Sequence, residues 1–222
     1  MREGSLICYY VRKADDSKNV CRSLKIMDKT RLEMFSDAVI AILITIMILE
    51  LKIPHGADLA SLRPLFPVFI TYVLSFIYLA IYWNNHHHML QATERISGKI
   101  MWANMHLLFW LSLVPFTTGW MGENHFAPLP TAVYGVVLLG AAIAYYILQS
   151  VIIAEPGANA KLEKAVGKDW KGKLSPLIYI AAIGLAFVNQ WIAGALYAFA
   201  ALIWFVPDRR IEKKIKKKGT DR

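Results

Sequence analysis

The chain has 222 residues, 56% of them hydrophobic and 18% charged, with a net charge of +9 and a mean hydropathy of +0.40. Soluble domains carry nearer a quarter charged residues, so this chain holds more apolar surface than one soluble core needs. Its basic residues flank apolar runs instead of forming a stripe with interleaved aromatics, which argues against nucleic acid as a partner.

Three regions are expected: a basic arm over 1–30, a membrane domain over 31–207 and a basic tail over 208–222. The arm holds both cysteines, Cys8 and Cys21, with neither CxxC nor zinc spacing, so no disulfide framework or metal site is expected there. The apolar stretch Ser5–Val11 is too short for a signal-peptide core and runs straight into Arg12 and Lys13, so the arm is expected to be retained.

Apolar runs follow at 34–53, 65–83, 101–121, 127–154, 174–188 and 191–206. A helix needs about 20 residues at 1.5 Å each to cross the hydrocarbon core. The first four runs meet that length, the second by continuing through the histidine cluster. The last two are shorter, and the spacing predicts a tight helical hairpin of two spans rather than a re-entrant pair. The expected architecture is therefore an all-α integral membrane protein with six transmembrane helices per subunit.

Lys and Arg number eight in 1–31, two in 84–99, five in 155–173 and eight in 207–222, against only Lys52 and Arg63 in the opposite loops. That asymmetry predicts a multi-pass protein of the cell membrane with both termini cytoplasmic. The tail 209-RRIEKKIKKKG-219 reads as an anchor at anionic headgroups.

The first run carries the chemistry: 31-RLEMFSDAVIAILITIMILELKIP-54. A carboxylate as deep as Asp37 costs several kcal/mol unless it is paired or wet, so partners or water are expected. Arg31 and Phe35 are one turn apart near the helix entrance. Ala38, Ile42, Thr45 and Leu49 fall on one face, whereas Asp37 points about 140° from Ile42 at about 100° per residue. On spacing alone that face reads more readily as ordinary packing, with the Thr45 hydroxyl bonded back to its own helix.

The order Arg-x-x-x-Phe-Ser-Asp, then Ala-Ile-x-x-Thr and a Leu-Glu-x-x-x-Pro exit, resembles the signature of the transmembrane protein 175 family of potassium channels. Weaker echoes are 82-YWNNHHHML-90 and 104-NMHLLFWLSLVPFTT-118, so the likeness covers about residues 27–207. It implies a homotetramer whose first helices surround a central pore for K⁺, with no cofactor beyond the permeant ion and only identical subunits and the bilayer as partners. By the same resemblance Ile42 matches a narrow hydrophobic constriction, Thr45 a hydroxyl layer and Leu49 a further apolar ring. Arg31, Phe35, Ser36 and Asp37, with Trp83, His86 and His87, match a network that fixes the first helix. Which of His86, His87 and His88 joins it stays open. The third histidine and the N-terminal arm depart from the family pattern.

No Thr-Val-Gly-Tyr-Gly loop is present, so selectivity is expected from a ring of aliphatic side chains, which also gates by dewetting. Consecutive histidines point about 100° apart and cannot all bind one ion, which favours a structural role over a metal site. No nucleophile–base pair, HExxH or phosphate loop occurs, so an enzyme is not expected. The alternative is a proton- or cation-coupled secondary transporter relaying protons through Asp37, although the internal repeats usual in transporters are not visible.

Overall fold

The computed structural model describes residues 17–91, 93, 96–154 and 170–205, and no strand occurs among them. Seven α-helices follow in order: α1 Ser17–Leu49, α2 Phe66–Gln91, α3 Gly98–Ser112, α4 Val114–Glu123, α5 Pro128–Ile153, α6 Trp170–Ala186 and α7 Gln190–Phe205. The tail from residue 206 and most of the loop before α6 lie outside the described residues, with the expectations placed on them.

Local chemistry sets the breaks. A 3₁₀ turn over Leu59–Leu65 leads into α2, and Asp58 opens it by accepting the Ser61 amide. Ser97 caps α3 in the same way through the Ile100 amide. Between α3 and α4, Pro115 lacks the N–H that would bond the Leu111 carbonyl, so the ladder breaks at Leu113 and one pass becomes two segments. After α4, His125 and Phe126 take positive φ values of 50° and 60°. Pro128 then starts α5 at a position where no intrahelical donor is needed.

Four stretches are long and apolar enough to cross a membrane: Lys29–Leu49, Leu59–Gln91, Gly98–Glu123 and Pro128–Ile153. The two shorter apolar helices, Leu174–Ala186 and Gln190–Trp204, form the expected hairpin. Asn189 turns it, its side chain accepting the Trp191 amide at 3.0 Å. Counting α3 and α4 as one pass, six passes result. The segment 117-TTGWMG-122 is helical, within α4.

The interior divides into two apolar clusters that share α2 and α5. One gathers Ile40, Leu43 and Met47 of α1 with Leu79, Leu107 and Leu148. The other packs Tyr78, Tyr134, Tyr179 and Tyr197 among Ala182, Ala193 and Ala200. Gly135 creates room for the second: a Cβ there would sit 2.1 Å from the Tyr197 hydroxyl. Gly140 makes the matching room for the Trp110 ring of the first, which a Cβ would approach at 2.3 Å.

Candidate functional site

The helix α1 shows two different faces. Leu32, Ser36, Ile40, Leu43 and Met47 are buried against α2, α3 and α4. At about 100° per residue their Cβ atoms lie roughly 80–160° around the helix from Ile42. The stripe Ala38, Ile42, Thr45 and Leu49 is exposed along its whole length in the single chain, with Ile42 at 55% and Leu49 at 82%.

Thr45 Oγ1 donates to the Ile42 carbonyl at 2.8 Å. This is the bond back to its own helix that the spacing allowed, and it uses the hydroxyl proton.

The rotation of α1 is set by an antiparallel ladder with α2. Lys29 Nζ donates to the Gln91 carbonyl at 3.0 Å. One turn on, His87 Nδ1 lies 2.9 Å from Glu33 Oε1. One turn further, Trp83 Nε1 donates to Asp37 Oδ1 at 3.0 Å. Rungs at 29, 33 and 37 thus meet 91, 87 and 83, steps of four on both helices, which keeps them on facing stripes. The Trp83 and His87 rings stack at 6.2 Å between the second and third rungs, and the Gln91 amide lies 2.8 Å from His87 Nε2.

Behind the ladder runs a buried chain that joins three helices. Ser36 Oγ donates to the Leu32 carbonyl at 2.9 Å and accepts from Asn104 Nδ2 at 2.9 Å. The Asn104 carbonyl oxygen therefore faces His86 Nε2, 2.7 Å away, which places the ring proton on Nε2. His86 Nδ1 is buried without a partner.

The structure accordingly brings together Ser36, Asp37, Trp83, His86 and His87. It separates the three histidines: His86 faces α3, His87 faces α1, and His88 joins neither set of bonds. Arg31 and Phe35 lie on the exposed side of α1 and make no hydrogen bond or ion pair among the described residues. The chain uses Glu33, Gln91 and Asn104, which sequence reasoning had not placed in the network. For Asn104 a signal existed, since an amide inside an apolar span needs a partner.

A family model described as endosomal/lysosomal potassium channel TMEM175 matches residues 31–115, the stretch that holds the buried chain and the ladder's rungs at Glu33 and Asp37. A potassium channel of Chryseobacterium sp. (strain P1-3) is 52% identical over 86% of this chain and 99% of its own. A potassium channel of Streptomyces collinus is 29% identical over 78% of this chain and 90% of its own. The crystal structure of a lysosomal potassium-selective channel TMEM175 homolog from Chamaesiphon minutus superposes with a TM-score of 0.72 at 25% identity, covering 81% of this chain and 97% of that one.

Proposed function

Since this chain belongs to the TMEM175 family of potassium channels, we propose that it is a potassium channel subunit whose α1 lines a central pore in a homotetramer. It is a membrane channel protein and not an enzyme. The observation that carries the pore assignment is the stripe Ala38, Ile42, Thr45 and Leu49, exposed at every position, on a helix whose opposite face is locked to its own subunit. One chain cannot enclose a path with a single helix face, so copies must surround an axis.

In this reading Ile42 forms the constriction, Thr45 offers hydroxyl oxygens one turn on, and Leu49 adds a further apolar ring. K⁺ holds its water less tightly than Na⁺, so an aliphatic ring penalises Na⁺ more, and dewetting of the same ring closes the path. The ladder and the Ser36–Asn104–His86 chain act as positioning elements, since turning α1 by one residue would swing the stripe about 100° off the axis. Both termini face the cytoplasm, supported by the Lys and Arg asymmetry.

The test is the reversal potential under opposed K⁺ and Na⁺ gradients in planar bilayers. Ile42→Asn supplies hydrogen-bonding groups where ions would otherwise meet hydrocarbon. Current should rise and K⁺ preference fall, each 1.4 kcal/mol of lost barrier difference being about tenfold. Leu43→Ala, on the buried face, should lower stability and leave the reversal potential in place. The opposite pattern would reject this stripe as the pore wall.

A further inference from the structure

A groove of about 820 Å³ opens on the surface of the bundle between α3 and α5, lined by Ser97, Lys99, Trp102, His106, Ile147 and Val151 among others. Its position is informative. Lys99 and Trp102 belong to the first turns of the span beginning at Gly98, while Ile147 and Val151 belong to the last turns of the span ending at Ile153. The groove therefore straddles the level where two neighbouring passes leave the hydrocarbon, and what fills an open groove at that level is lipid.

Its chemistry is graded along the same direction. Lys99 is exposed at the end of the span and has no acidic partner among the described residues. Trp102, one turn deeper, is 77% exposed, an indole at the depth where amphipathic rings settle between headgroups and chains. Ile147, Val151 and the buried Ala103 line the remaining wall. His106 Nε2 accepts from Trp110 Nε1 at 3.0 Å, which leaves the neutral ring with its proton on Nδ1 as a donor and adds no negative charge. Among the described residues no carboxylate lines the groove.

We propose that this groove binds one phospholipid with a negatively charged headgroup, the phosphate beside Lys99, the glycerol region against Trp102 and an acyl chain along Ile147 and Val151. The inference rests on the chain spanning the membrane and not on which residues line the pore. It can therefore fail while the pore assignment stands, and the reverse.

The experiment is photolabelling in phosphatidylcholine vesicles with a diazirine-bearing phosphatidylglycerol, mapped by peptide mass spectrometry. Label is expected on 97–106 and 147–151, displaced by unlabelled phosphatidylglycerol at lower concentration than by phosphatidylcholine. Lys99→Gln should weaken that preference about fivefold, the weight of one lysine near an anionic surface. Lys52→Gln, at the far end of α1, should leave it unchanged. Equal displacement by both lipids, or no label in the groove, overturns the proposal. So does a disulfide between subunits carrying Trp102→Cys, which would show that another copy covers the groove.

Discussion

The first helix and the closing hairpin solve the same problem with opposite means. Both are apolar helices that must hold one orientation in a medium offering little hydrophobic drive between helices. The hairpin α6–α7 has no charged residue from Leu174 to Phe205. It is held by small residues against large rings: Ala182, Ala193 and Ala200 pack among tyrosines. Each ring hydroxyl there that bridges helices meets a backbone or hydroxyl oxygen, Tyr78 on the Tyr197 carbonyl at 2.7 Å and Tyr197 on the Thr131 carbonyl at 3.1 Å. The helix α1 instead leaves half its surface bare and is fixed by ionisable and amide side chains over about three turns. Close packing suits an element wedged against several helices of its own chain. A helix that leaves one face bare needs directional bonds, because packing from one side alone resists rotation poorly.

The sharpest way to break this contrast is to remove the hub of the polar chain. Asn104→Leu leaves Ser36 and His86 buried without their shared partner, at about 1–3 kcal/mol each. The thermal unfolding midpoint in detergent should fall by more than for any single change in the hairpin, and the proposed homotetramer should dissociate in size-exclusion chromatography. An assembly as stable as the parent would mean that packing alone orients α1.

A smaller loss is expected from Gly135→Ala in the hairpin's seat. The added methyl meets the Tyr197 hydroxyl and Ile183, so α7 must shift, at a cost of roughly 1–3 kcal/mol. The same unfolding measurement should show lowered stability, while the K⁺ over Na⁺ reversal potential stays at its parent value. A changed reversal potential would show that the hairpin, too, sets the orientation of α1.

The smallest effect lies just beyond the far end of α1. Glu50 sits over Gly119, where a Cβ would come within 2.8 Å of its carboxylate. Burial first, and Glu123 second, raise its pKa above the ordinary value. Since the folded pKa exceeds the unfolded one, Glu50 favours the fold at low pH, and that contribution is lost as pH rises through the folded value. Glu123→Gln should lower the Glu50 midpoint part of the way in carboxyl infrared titration and leave the share due to burial. A midpoint that stays put would remove Glu123 as a cause.

The sequence by itself determined the number of apolar passes, the hairpin, the common face of Ala38, Ile42, Thr45 and Leu49 on α1 and the need of Asp37 for a partner. All of these follow from run length, helical periodicity and the cost of a lone charge, which are local properties. Tertiary structure alone decided that the partner is Trp83 and that Asn104 joins Ser36 to His86. It also turned His86 toward α3 and His87 toward α1, and left Arg31 and Phe35 outside the bonds among the described residues. Those pairings span up to 68 residues of separation. They depend on how α1, α2 and α3 are rotated against one another, and no local period encodes that angle. It emerges when large rings find their glycine seats and Ser36, Asn104 and the His86 Nε2 atom find their bonds.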